Sequence, residues 1–175
     1  MLCEIAGFCP EEAVWKMLCD ISQFLQRAGA AYPIDAASII VDGESFLVGG
    51  NKTSADMSEA IWELGAAAYY AATGHIVFGG HGRDYQLSNP QVALPVLPKG
   101  FQSMTPVIQQ CLCNNPQERI HIANLVTEAS KGLDGCRDRQ RTKVDKQSKS
   151  KQDKQEQSDK WPEEMIETWN RDYGY

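Results

Sequence analysis

The residues best suited to chemistry lie in one glycine-rich stretch, residues 74–84. His75, His81 and Asp84 are residue types that bind metal ions, but their spacing suits no common helix-based site. The glycines of Gly79-Gly80-His81-Gly82-Arg83 could let backbone N–H groups converge on a phosphate. However, the stretch lacks the spacing of a phosphate-binding loop, and no Lys-Ser/Thr pair follows it. We therefore expect a solvated surface loop that binds neither a metal nor a cofactor.

Nucleophilic catalysis has little support in the sequence. The 3 histidines, His75, His81 and His121, lie in no recognisable nucleophile motif. Of the 6 cysteines, the pair in Cys111-Leu112-Cys113 is separated by one residue, not by the two residues typical of a zinc knuckle. We expect free and mostly buried thiols.

Charge is distributed unevenly along the chain, whose net charge is −6. Residues 1–130 hold 6 basic and 13 acidic side chains, whereas residues 131–160 hold 10 basic and 6 acidic ones. An acidic domain has no electrostatic footprint for nucleic acid. The sequence also lacks a membrane-length apolar run and a basic leader at its start, so we expect a cytoplasmic protein without a membrane partner.

Periodicity predicts the elements that would position these residues. Apolar residues at helical spacing predict a helix over 11–28 that ends at Gly29. Two apolar runs around Asp42-Gly43 predict a β-hairpin. A Thr53-x-x-Asp56 cap predicts a helix from about Ala55 to Thr73 that is apolar nearly all round, and such a helix is usually central and buried. On it, Trp62, Tyr69 and Tyr70 are expected to be core residues and not a stacking platform.

The chain from Gly74 to residue 160 is predicted in five parts. Pro90, Pro95 and Pro98 favour a loop from Gly74 to about Gly100. A helix over 103–113, a turn at Asn114-Asn115-Pro116 and a short helix from Ile120 to about Ser130 follow. Residues 131–160 form a polar Lys/Gln-rich linker, expected to be mobile, to be a solvated helix, or to fold back along the acidic domain.

Residues 161–175 regain an apolar face and are predicted to form a C-terminal amphipathic helix. Trp161, Met165, Ile166 and Trp169 recur on it at helical intervals. Two tryptophans on such a helix are typical anchors for a groove on a protein partner. Docking of this helix on its own domain is an equal alternative.

Three segments together resemble the C-terminal lobe of a protein kinase. Residues 17–48 resemble the long helix, catalytic loop and hairpin. The stretch from Trp62-Glu63-Leu64-Gly65 to Phe78-Gly79-Gly80 is similar to the central helix and its exit. Residues 111–120 resemble the Cys-Leu-x-x-(Asp/Asn)-Pro-x-x-Arg signature. The resemblance implies a mainly α-helical, kinase C-lobe-like domain over residues 1–130 with one short β-hairpin, followed by the polar linker and the C-terminal helix.

The departures from the kinase pattern imply loss of catalysis. Pro33 stands where the catalytic Asp belongs, Ser38 where the metal-binding Asn belongs, and Val48-Gly49-Gly50 approximates Asp-Phe-Gly without its Asp. Asp35 is the only nearby carboxylate. Arg119 matches an arginine that pairs with a glutamate in kinases, and here Glu59 or Glu63 is a possible partner unless Arg119 is exposed.

These observations predict a non-catalytic, pseudokinase-like binding or scaffold module that acts through protein partners. One alternative is half of a split kinase that becomes active with an N-lobe from another chain. A second alternative is a nucleotide-sensing regulator.

Overall fold

The computed structural model describes residues 9–34, 38–50 and 56–158, which form five α-helices and one two-stranded sheet. The elements in chain order are α1 (Glu11–Ala28), β1 (Ile39–Asp42), β2 (Ser45–Val48), α2 (Met57–Thr73), α3 (Gly82–Ser88), α4 (Thr105–Cys111) and α5 (Ile122–Ser158). Short 3-10 turns at Phe78–Gly80 and Gln102–Met104 precede α3 and α4. The prediction of a mainly α-helical fold with one short hairpin is confirmed.

Contacts divide the chain into two units, Met1–Cys136 and Arg137–Tyr175. The first unit contains the hydrophobic core. In the second, the chain is helical to Ser158, and the described side chains of residues 137–143 and 146 are exposed. The described part of the polar linker is therefore helical.

α1 forms where the apolar period predicted it. Leu18, Ile21 and Leu25 are fully buried on one face. Gly29 adopts the left-handed conformation (φ 57°) that closes many helices, and its N–H donates to the carbonyl of Leu25. The local signals and the tertiary burial agree here, so the predicted boundaries are confirmed.

The hairpin packs beside α1 through β2. Its strands pair Ile39 with Val48 and Ile40 with Leu47, and Gly43 has a positive φ at the first position of the two-residue turn. The Phe46 N–H donates to the Asp20 carboxylate of α1 at 3.0 Å. Because opposite residues share a face of the sheet, the exposed pair Ile40 and Leu47 forms an apolar outer face.

α2 is the central helix, as predicted from its apolar composition. Leu64 and Ala68 are fully buried, and α2 packs closely against α4. A Cβ on Gly65 would lie 2.5 Å from the Cβ of Cys111. Glycine inside this helix therefore permits a close crossing of α2 and α4.

α5 begins near the predicted position but continues past the expected end at about Ser130. Leu133 and Cys136 are buried in the first unit. The aromatic ring of Trp15 lies against the backbone at Gly132, where an added Cβ would come within 2.5 Å of the ring. The first unit consequently extends to Cys136, six residues beyond the predicted domain boundary at 130.

The prediction of one loop from Gly74 to about Gly100 is wrong for residues 78–88. A 3-10 turn and α3 occupy this stretch, and α3 ends just before Pro90. The prolines break regular structure only from residue 90 onward. Within the part of the chain that the structure describes, no helix has the length and apolar content needed to span a membrane.

Candidate functional site

An apolar groove of about 350 Å³ lies on the exposed side of α2. Its floor is a face of α2 on which residues recur at intervals of three to four. β1 and the segment that follows α2 form its sides. The described residues that line it are Ile39, Trp62, Ala66, Ala67, Tyr70, Ala71, Ile76, Val77, Gly82 and Arg83.

The alternation of small and large residues along α2 creates the groove. Ala66, Ala67 and Ala71 are half-buried and leave space above the helix. Trp62 and Tyr70 stand two turns apart, or about 12 Å along the axis at 1.5 Å per residue. Trp62 is buried, as predicted for a core residue, whereas Tyr70 is half-buried and lines the groove.

Unusual backbone conformations return the chain from the end of α2 to the groove. Gly74 ends α2 at φ 71°, and Phe78, Gly79 and Gly80 have φ values of 58°, 67° and 95°. A positive φ at a phenylalanine costs on the order of 1–3 kcal/mol and persists only where the surroundings impose it. The half-buried Phe78 packs against the core, and the turn places Val77 and Arg83 beside α2.

Among the described residues that line the groove, Arg83 is the only charged one. Its Nε lies 3.2 Å from Glu59 Oε1, and its guanidinium carbon lies 5.3 Å from the centroid of the Trp62 ring. Its Nη1 donates to Gln86 and Asn114. Burial, followed by the nearby Arg119, lowers the pKa of Arg83. Arg83 thus closes one end of the groove, and its guanidinium is held by side chains of the same domain.

A second arginine lies beneath the same carboxylate. The side chain of Arg119 is 1% exposed, and its Nη1 lies 3.2 Å from Glu59 Oε2. Arg119 also donates to the carbonyl oxygens of Cys113 (2.7 Å), Ser58 (2.8 Å) and Asn114 (3.3 Å). Of the alternatives predicted for Arg119, the Glu59 pair is therefore the one that forms. Glu63 accepts the N–H of Ile34 instead.

Gln86 completes this polar cluster and was not predicted from the sequence. It is 1% exposed, accepts from Trp62 Nε1 at 2.8 Å and donates to the Leu112 carbonyl at 2.6 Å. Gln86 thereby joins α2, α3 and the end of α4. A glutamine in a short, glycine-preceded helix gives no periodic signal, so only the structure reveals it.

The other candidates do not converge on a reactive centre. His81 stacks on Tyr85, with ring centroids 5.0 Å apart. Among the described residues, no group of three or more His, Cys, Asp or Glu side chains could hold a metal ion. Of the described cysteines, Cys19, Cys111 and Cys136 are buried, and burial raises the pKa of Cys111 to about 12.

Two sets of sequence predictions concern other positions. The predicted partner-binding residues lie outside the described residues; they are Trp161, Met165, Ile166 and Trp169. Asp35 also lies outside them. Of the positions compared with kinase catalytic residues, Val48 pairs with Ile39 in the hairpin.

No family model matches the sequence, and no curated protein matches it significantly. The kinase resemblance therefore stays a prediction.

Proposed function

We propose that this chain is a non-catalytic protein-binding module and that the groove on α2 is its binding surface. The observation that carries this proposal is the nearly all-apolar lining of an open groove. Large apolar surfaces on a folded domain are typical of interaction sites, because water contact with them is unfavourable.

The shape of the groove favours a side-chain anchor from a protein. Hot spots in protein interfaces are large side chains that fill pockets on the partner. The alanine floor supplies such a pocket between Trp62 and Tyr70, and Ile76, which is 55% exposed, extends the apolar surface at its rim. The polar cluster below supports the floor from within, because Trp62 is held by Gln86 and Arg83.

The kinase resemblance supports a scaffold over an enzyme. Phosphoryl transfer requires carboxylates that hold metal ions and accept a proton. Pro33, Ser38 and Val48 have none of that capacity. A split kinase and a nucleotide sensor remain alternatives, and both would have to bind ATP.

ATP binding separates these alternatives from the scaffold. A ligand that binds only the folded state stabilises it by RT ln(1 + [L]/Kd). We expect the melting temperature to stay constant in a titration with ATP and Mg²⁺ up to millimolar concentrations. A saturable, Mg²⁺-dependent increase would instead support the nucleotide-binding alternatives, and Asp35→Asn would then be the first variant to measure.

Photo-crosslinking tests the groove directly. A photoreactive amino acid at position 67, on the groove floor, should form a crosslink to one discrete partner. The matched control is position 96, since Val96 is 69% exposed and lies outside the groove. The same crosslinked species from both positions, or none from position 67, would contradict a binding role for the groove.

The C-terminal residues are a second proposed contact. Trp161, Met165, Ile166 and Trp169 are proposed as partner anchors because of their helical spacing. Deletion of residues 161–175 should preserve the melting transition of the first unit and abolish partner capture. Undiminished capture after the deletion would reject this contact and leave the groove proposal intact.

A further inference from the structure

The elements that form the groove have a strongly one-sided charge. Residues 38–50 and 56–88 contain the β-hairpin, α2 and α3. They hold a single basic side chain, Arg83, which is paired with Glu59. Their acidic side chains are Asp42, Glu44, Asp56, Glu59, Glu63 and Asp84.

The acids that determine the field outside the groove are those in contact with solvent. Asp42, Glu44, Asp56 and Asp84 are exposed, whereas Glu59 and Glu63 are half-buried and bind groups of the domain itself. A single sign of charge around an apolar surface attracts ligands of the opposite charge and repels those of the same charge. The elements that form the groove therefore carry four exposed acids, and their single basic side chain is paired with Glu59.

We propose, on the basis of the proposed function, that the groove binds a cationic amphipathic helix of a partner protein. Apolar side chains at positions i, i+4 and i+7 of that helix span about 10.5 Å. This length fits the distance of about 12 Å between Trp62 and Tyr70, estimated from the helical rise. Lysine or arginine residues flanking the anchors would be attracted by the exposed acids of these elements, Asp42, Glu44, Asp56 and Asp84.

The same charge argument disfavours other occupants. Residues 161–175 hold 4 acidic residues and 1 basic residue, so a second copy of that segment brings the same sign of charge as the elements that form the groove. Nucleic acids and anionic lipid surfaces are repelled for the same reason. A neutral apolar molecule would gain nothing from the four exposed acids.

Three synthetic peptides of equal length test the proposal on the full chain. The first has leucine or tryptophan at i, i+4 and i+7 with lysine at the flanking positions. The second has the same anchors with glutamate in place of lysine, and the third has the composition of the first in an order without helical periodicity. Fluorescence anisotropy measures their dissociation constants at several salt concentrations.

We expect the first peptide to bind at least about tenfold more tightly than either control, because only it matches both the apolar floor and the charge. Its affinity should fall as salt rises, since the acids are exposed and screened. Ala67→Trp, which fills the groove, should weaken binding about tenfold or more, whereas Val96→Trp should leave it unchanged. The triple variant Asp42→Asn, Glu44→Gln, Asp84→Asn should reduce both the affinity and its dependence on salt.

The results that would overturn the proposal differ from those that would overturn the proposed function. Equal binding of the glutamate peptide, with sensitivity to Ala67→Trp retained, would reject a cationic partner but keep the groove as a binding surface. Equal binding of the aperiodic peptide, with no effect of Ala67→Trp, would reject the groove as the peptide site. Absence of binding by all three peptides would reject the cationic helix, and the crosslink from position 67 would then decide whether the groove binds any protein.

Discussion

At the residue scale, the contacts of Glu59 join the groove to the core of the first unit. Its two carboxylate oxygens are shared between Arg83, which lines the groove, and Arg119, which is buried. A buried guanidinium without an acceptor is costly, so the position of Arg119 depends on this carboxylate and on the carbonyl oxygens around it.

Replacement of Arg119 should therefore be more damaging than replacement of Glu59. Arg119→Met leaves the carbonyl groups of Cys113, Ser58 and Asn114 without this donor, and we expect a loss of about 3 kcal/mol in unfolding free energy. Glu59→Gln retains a hydrogen-bonding group at a partly exposed site, and we expect a loss of about 1 kcal/mol. Urea denaturation of both variants measures the difference.

Lys131→Ala provides the control, because its pair with Glu128 is exposed and should contribute less than about 0.5 kcal/mol. A larger loss for Glu59→Gln than for Arg119→Met would show that the carboxylate, not the set of carbonyl acceptors, determines the stability of this cluster.

The two thiols of Cys111-Leu112-Cys113 should differ sharply in reactivity. Cys111 is fully buried, and burial raises its pKa to about 12, whereas Cys113 is half-buried. The thiolate is the reactive form, so at pH 8 we expect a disulfide reagent to label Cys113 quickly and Cys111 only on unfolding. Mass spectrometry of the native protein, with Cys111→Ser and Cys113→Ser to assign the products, measures this order.

The raised pKa of Cys111 also predicts the direction in which folding stability changes at alkaline pH. The folded state retains the Cys111 proton more tightly than the unfolded chain does. The contribution of the protonated Cys111 thiol to folding stability is therefore fully present below the unfolded pKa of 9.0. It is lost as the pH rises toward about 12. Cys111→Ser should reduce the alkaline loss of stability, and an unchanged profile between pH 9 and 11 would contradict the raised pKa.

At the element scale, glycine determines how closely α2 and α4 cross. Gly65→Ala places a methyl group against Cys111 and should destabilise the fold by about 1–3 kcal/mol, despite the better helix propensity of alanine. Ala71→Ser changes the same helix on the groove side and should have a small effect. Thermal unfolding followed by circular dichroism compares the two, and an increase in stability for Gly65→Ala would show that the crossing can relax.

Elements with coherent local signals could be predicted, and elements determined by tertiary contacts could not. α1 has an apolar period and a terminal glycine, and the hairpin has a turn glycine between apolar runs, so local physics was sufficient for both. α3 follows three consecutive residues with positive φ. The glycines among them indicate a loop when the sequence alone is considered. The length of α5 was underestimated because polar composition outweighed the spacing of Ala129, Leu133 and Cys136, which is helical and could have revealed the extension.

The groove was only partly predictable for a similar reason. The aromatic residues of α2 were visible in the sequence, and the Glu59–Arg119 pair was one of three alternatives that the kinase resemblance left open for Arg119. The groove itself depends on which face of an all-round apolar helix stays uncovered, and periodicity does not distinguish the faces of such a helix. Tyr70 illustrates this, since it was expected in the core and lines the groove.

At the scale of the whole molecule, the boundary of the first unit determines which fragments fold. A chain that ends at Cys136 keeps Leu133 and Cys136 in the core, and keeps Gly132 against Trp15. A chain that ends at residue 130 loses all three contacts, and the loss of Leu133 alone should cost about 2–5 kcal/mol. We expect cooperative unfolding of fragment 1–136 and a much lower melting temperature for fragment 1–130; equal transitions would place the boundary at 130.

The contact between Trp15 and Gly132 also gives the molecule an intrinsic optical probe. The Trp15 indole is 2% exposed, and its Nε1 has no hydrogen-bond partner among the described residues. An indole in dry, apolar surroundings emits at shorter wavelengths than one in water. Because one face of this ring lies on the backbone of α5, a red shift of its emission would register detachment of that helix. With Trp62, Trp161 and Trp169 replaced by phenylalanine, the emission of one side chain would follow the folding of α5 onto the core of the first unit.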